Sequence, residues 1–249
     1  MELSSKTKTG QLVVRHTESK ARWIEVAPIF YEMESDGSLK PLSNEEAVKA
    51  PQSAIRMIRF SPKRFRLQPG ESQVLRVRAF TPSSTEDGVY RVHLKFTPDD
   101  PEDSPDNKNK GAIRYQLQAR VALAVPIYFK KGNPESKFEI TNLKIEEDSN
   151  KKAQLSLTLT QSGKGMARGD ISVFQSASKD MDKKNRSLVG KVAGLASYVP
   201  SRSVKIPLSD DFSPLSAEND KKLEVEFTPA ANEKEVLTQA VLLSPQASK

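Results

Sequence analysis

Residues 61–80 read SPKRFRLQPGESQVLRVRAF. The tetrapeptide Gln68-Pro69-Gly70-Glu71 suits a type II turn, with Pro at the second position and Gly at the third, where positive φ is needed. It separates RFRL from SQVLRVRAF, so the stretch predicts a hairpin-like pair of half-buried strands. Leu75, Val77 and Ala79 then share one face, and Val74, Arg76 and Arg78 the other. On that reading Lys63, Arg64, Arg66, Arg76 and Arg78 are the outer, solvated phase, relieved only by Glu71. A nucleic-acid surface would use the same residues, so the rest of the chain has to decide.

Outward from this stretch the period stays at two. GQLVVRH (10–16), ARWIEVAPIFYEM (21–33) and SAIRMIRF (53–60) precede it. GVYRVHLKF (88–96) follows, with Tyr90, Val92, Leu94 and Phe96 on one face and Arg91, His93 and Lys95 on the other, which predicts a half-buried strand with a solvated His93. In the second half AQLSLTLTQ (153–161) alternates Leu155, Leu157 and Leu159 with polar residues, and GDISVFQS, RSVKIPLS, KLEVEFTP and TQAVLLSP come after it between turn residues. Many short strands with turn signals predict an all-β chain of two sandwich domains. NEEAVKA (44–50) is at most one short turn of helix. The polar, Pro-rich stretches 98–111 and 130–137 read as loops, and the second sets a domain boundary, giving domains 1–131 and 132–249.

Composition narrows the function classes. At 249 residues the chain has room for two domains with cores of their own. It has no cysteine, hence no disulfide framework and no thiol chemistry. The net charge of +7 is lopsided: residues 1–132 hold 22 Lys and Arg against 16 Asp and Glu, the remainder 17 against 16. Such an excess can attract an acidic partner. No run has the apolar length of a membrane span. MELSSKTKTG lacks the apolar core of a signal peptide, so an export signal either never existed or was removed from the sequence. His16 and His93 are the only histidines, so no zinc cluster is predicted. QSGKGMARGD (161–170) lacks the Lys-Ser/Thr ending of a phosphate loop and reads as a turn. No catalytic residue, metal or cofactor is expected, and the chain reads as a non-enzyme.

One element stands apart. IRYQLQARVALAVPIYF (113–129) places Ile113, Tyr115, Leu117, Ala119, Val121, Leu123, Val125, Ile127 and Phe129 at every second position. That is about three times the usual strand length of five to six residues. One sandwich cannot cover such a strand, so an apolar stripe should overhang. After Arg120 the intervening residues turn apolar, which predicts burial of Leu123, Val125 and Ile127. Pro126 cannot donate to a ladder and predicts an edge or bend nearby.

The strings IRFSPKRFRLQPGESQVLRVRAF (58–80), DGVYRVHLKFTP (87–98) and QARVALAVPIYFKK (118–131) resemble the signature region of the periplasmic pilus-assembly chaperones, the PapD-like family. GDISVF, VKIPLS and LEVEF resemble its second domain more loosely. The resemblance implies two immunoglobulin-like domains set at an angle. It implies a chaperone that lends the last strand of its first domain to an exported pilin-like or other β-rich subunit lacking a strand, with an outer-membrane usher as a further partner. Carried over by position, Ile113, Tyr115, Leu117, Ala119 and Val121 are the donor side chains, and Asp87 with Lys130 is an interdomain salt bridge. The family's carboxylate-anchoring Lys falls on Pro126 and its Arg at or before Met1, so the sequence is expected to begin inside the first strand. An uncovered apolar edge also invites a self-capping homodimer. Two other readings remain: a structural surface or pilus component, and a basic nucleic-acid binder using residues 56–78.

Overall fold

The computed structural model describes residues 1–98, 121–176, 186–212, 222–230 and 237–241, and over them it is almost entirely β. The chain divides into two compact units: Met1–Tyr31 with Pro41–Pro134, and Glu32–Lys40 with Glu135–Lys249. Each is an immunoglobulin-like sandwich of two sheets. In the first unit one sheet runs β1 (Glu2–Ser4), β10 (Leu123–Lys131), β9 (Gly88–Pro98), β3 (Arg22–Ile29), β7 (Arg64–Leu67). The facing sheet runs β2 (Thr9–Arg15), β8 (Ser72–Ala79), β6 (Ile58–Ser61).

The turn at 68–71 forms as its residues require. Gly70 has φ +79°, and the Glu71 backbone N–H donates to the Gln68 carbonyl at 3.0 Å. Leu75, Val77 and Ala79 are buried, as the alternation predicts. The predicted hairpin is not there, however. β7 pairs with β3, and β8 pairs with β2 and β6. The turn is therefore a corner between sheets. Phe65 and Leu67 enter the core from one side and Leu75 and Val77 from the other, so one short segment closes the sandwich.

Strand β9 also departs from expectation. Its Tyr90–Phe96 phase faces the core as predicted, but Arg91 and His93 on the other face are only 3% and 4% exposed. That face is met by Phe30 and Tyr31, which follow β3. Arg91 donates to the Tyr31 carbonyl at 2.7 Å and lies 4.3 Å from the Phe30 ring centroid. His93 meets the Tyr31 ring edge-on, with centroids 5.0 Å apart. The loop that precedes β6 holds α1 (Asn44–Lys49), whose capping box joins Ser43 and Glu46 and whose Ala47 is buried. The expectation of a negligible turn there missed the Ser-x-x-Glu signal of a helix start.

The unit boundary falls after Pro134 rather than Lys131, and Glu32–Lys40 join the second unit instead of the first. These residues form most of a hairpin, β4 (Tyr31–Met33) and β5 (Leu39–Pro41). Their partners explain the assignment. The Ser203 N–H donates to the Ser35 carbonyl at 2.7 Å, the Tyr198 N–H reaches the Met33 sulfur at 3.4 Å, and the Arg202 guanidinium fills the space over Gly37.

The second unit stacks β11 (Ser136–Glu147), β12 (Ala153–Gly163) and β15 (Ser201–Pro207) on β14 (Arg186–Ser197), β13 (Ala167–Ser176), β16 (Lys222–Pro229) and β17 (Leu237–Val241). Leu155, Leu157 and Leu159 face Ile171, Val173 and Phe227 in its core. β11 and β14 carry no clean alternation in sequence because bulges interrupt their registers, near 141–144 in β11 and near 188–190 and 192–195 in β14. Arg186 lies 3.9 Å over the Phe174 ring and pairs with Glu226 and, at 2.8 Å, with Glu224. These bonds, the one to Glu226 foremost, raise its pKa further above the usual arginine range. At Gly169 an added Cβ would meet the Thr228 carbonyl oxygen of the paired strand at 2.1 Å. Backbone cannot swing aside, so Gly169→Ala is expected to destabilise the unit by about 1–3 kcal/mol, read as a lower melting temperature.

Candidate functional site

The site begins where strand β10 leaves its own core. Ile127 and Phe129 are fully buried and Val125 is half-buried, but Leu123 is 66% exposed and Val121 84%. The predicted burial of Leu123 is thus corrected. Its ladder with β9 starts at the pair Leu123–Phe96, at the end of the sandwich, where the facing sheet offers only half-buried Leu12 and Val14. The two sheets part here and leave an open groove of about 330 Å³. Leu12–Arg15 of β2 form one wall, Val121, Leu123 and Val125 the other, with Ile24, Phe96 and Pro98 completing the lining.

The main chain at this place has an open side as well. Away from β9, β10 is flanked by β1, which runs parallel and pairs only with Tyr128, Phe129 and Lys130. The Met1 amino group donates to the Pro126 carbonyl at 3.1 Å, and the Tyr128 N–H donates to the Met1 carbonyl at 2.9 Å. Among the described residues no strand pairs with Leu123–Val125 on that side. Pro126, which has no N–H to offer, sits where the paired edge ends, as its presence predicts.

Of the residues singled out from the sequence, Ile113, Tyr115, Leu117 and Ala119 lie outside the described residues. Val121 lies at the groove. Asp87 and Lys130 form no ion pair with each other among the described residues. The Asp87 carboxylate lies against Gly132, where an added Cβ would come within 2.1 Å of Oδ2. Gly132, at φ +67°, has both the conformation and the missing side chain that this approach needs. The neighbouring Lys131 donates its ammonium to the Thr85 carbonyl.

Sequence reading did not find the β2 wall. The signal was the doublet Val13-Val14, which makes both faces of a short strand apolar at its end; Val13 is 67% exposed. What the arrangement can do is bury apolar side chains beside an open ladder edge. Among the described residues no group of three or more His, Cys, Asp or Glu could hold a metal ion. No helix among them is long and apolar enough to cross a membrane.

No family model matches the chain, and no curated protein matches it significantly. Solved structures do resemble it over nearly its whole length. They include the class 5 fimbriae chaperone CfaA, at 13% identity and TM-score 0.49, covering 98% of this chain and 96% of that one. A chaperone–tip adhesin complex of CFA/I fimbriae biogenesis matches at 14% identity and TM-score 0.49, with 96% and 93% covered. The SafA pilin–SafB chaperone complex of Salmonella enterica matches at 12% identity and TM-score 0.44, with 96% and 92% covered.

Proposed function

We propose that this protein is a periplasmic, non-enzymatic chaperone that caps exported, strand-incomplete subunits of pilin type by lending them the edge of its 113–129 segment. The observation that carries the reading is the exposed, apolar Val121 and Leu123 at the start of β10, beside an apolar groove, where no strand among the described residues pairs on the side away from β9. The family resemblance of residues 58–80 and 118–131 points the same way, and an usher would then receive the loaded subunit.

The physics is strand addition. Main-chain hydrogen bonds along the open edge supply affinity independent of sequence, and alternate side chains entering a client's core supply selectivity. Burying four or five apolar side chains contributes roughly 6–12 kcal/mol gross. Ordering and association cost about 4–15 kcal/mol. The net is a difference between two terms of similar size, which suits a complex that must later release its subunit.

The test is capture of a pilin-like immunoglobulin domain deprived of its last strand, refolded in the presence of the full chain and read by size-exclusion chromatography. Leu117→Asp and Leu123→Asp each place a carboxylate where an apolar pocket of the client would close over it, unpaired. Both variants are expected to keep the melting temperature within a few degrees and to lose at least about tenfold in capture, since about 1.4 kcal/mol suffices for that. Undiminished capture by both variants would sink the proposal.

A further inference from the structure

We propose that the outer face of the β2-β8-β6 sheet is a docking surface for an extended, acidic segment of a partner protein. The depression at its centre shares no lining residue with the groove beside β10 and does not depend on strand lending. It presents Thr9, Gln11, Arg59, Ser61, Arg76 and Arg78, all exposed, around a shallow depression of about 590 Å³. The register sets the three arginines at neighbouring positions of the sheet. Arg59 lies directly across from Arg78, which lies across from Thr9, and the adjoining row is Ser61, Arg76, Gln11.

Among the described residues the charge on this face has no internal answer. The outward residues of the three strands are Thr9, Gln11, Val13, Arg15, Arg59, Ser61, Ser72, Val74, Arg76 and Arg78, with no carboxylate among them. None of Arg59, Arg76 and Arg78 makes an ion pair among the described residues. The second unit treats its strand cations differently: Arg186 faces Glu224 and Glu226, Lys191 faces Asp170 at 3.0 Å, and Lys205 faces Glu146 at 3.0 Å. Like charges directly opposite on paired strands disfavour the fold. The chain carries such a pair at Arg59 and Arg78, and the carboxylates of a partner segment would compensate it.

Spacing selects the occupant. Arg76 and Arg78 lie two residues apart on one strand, about 6.8 Å. Carboxylates at every second position of an extended peptide repeat at the same distance, and a guanidinium takes a carboxylate through two parallel N–H donors. Arg59 spends one nitrogen on the Arg56 and Ile58 carbonyls and keeps its remaining donors. The hydroxyls of Thr9 and Ser61 and the Gln11 amide add neutral partners around the rim. A single-stranded nucleic acid would call for aromatic rings interleaved with the charges, on which bases stack; Phe80, exposed just beyond β8, and half-buried Phe60 are the aromatics near this face, and no ring stands among the outward residues of the three strands themselves.

The experiment is fluorescence anisotropy of a labelled eight-residue peptide alternating Glu and Ser, titrated with the full chain. The triple variant Arg59→Gln/Arg76→Gln/Arg78→Gln is expected to lose at least about tenfold in affinity, and Leu123→Asp to lose nothing. Raising NaCl from about 50 to about 300 mM should weaken binding several-fold, as screening requires. The triple variant should melt no lower than the parent, because an unfavourable like-charge pair is gone. The proposal is overturned if the triple variant binds the peptide equally well or melts several degrees lower. It is also overturned if single-stranded DNA or phosphatidylglycerol vesicles bind these arginines more tightly than the peptide does.

Discussion

Phe129→Ala lowers the stability of the first unit by about 3–5 kcal/mol, the usual loss for emptying a buried aromatic site. Leu123→Ala, six residues earlier on the same strand and in the same alternation phase, stays within about 0.5 kcal/mol, as surface substitutions do. The difference follows from burial alone, since Phe129 is fully enclosed and Leu123 is 66% exposed. Denaturant unfolding followed by tryptophan fluorescence measures it cleanly, because Trp23, the only tryptophan, sits in β3 of that unit. Arg64 stacks over its ring at 4.7 Å, so loss of the sheet changes its surroundings. Equal losses for the two variants would make the start of β10 ordinary core and remove the main physical support for strand lending.

Acidification from about pH 7 to about pH 4 is expected to cost the first unit about 3 kcal/mol through His93 alone. Burial in the β9 face, and after it the positive charge of Arg91, lowers its pKa from 6.5 to about 4. The folded chain therefore keeps the imidazole neutral where the unfolded chain takes up a proton. The contribution is complete above the unfolded value and is lost as the pH falls toward the folded one. The window lies above that of Asp36, Asp148 and Asp170, whose pKa values are lowered from 3.8 by hydrogen bonds from Ser38, Lys152 and Gly194 respectively, and whose contributions fade only at more acidic pH. His93→Gln removes the titrating group, so its denaturation midpoint should fall less between about pH 7 and about pH 4.5 than that of the parent. Identical slopes for parent and variant would show that His93 takes up its proton in the fold as readily as in the unfolded chain.

Period-two alternation determined the fold class from sequence. Leu75, Val77 and Ala79, or Leu155, Leu157 and Leu159, can be buried together only on one face of a strand, and both sets are buried. Pro69 and Gly70 determined a turn, because their allowed φ values leave few others. The apolar stripe along 113–129 marked the segment from which the candidate site starts. What pairing and covering do was not legible, because alternation states that a face is apolar and not which element closes over it. Only the tertiary structure made the 68–71 turn a corner between sheets, since β7 found β3 while β8 found β2. It decided the fate of His93 and Arg91, whose polar face is met by Tyr31 and Phe30. It decided too that Leu123 is exposed while Ile127 and Phe129, in the same phase, are buried. The phase of a strand is a local property of its residues, whereas the point at which its partner sheet ends is set by other segments of the chain.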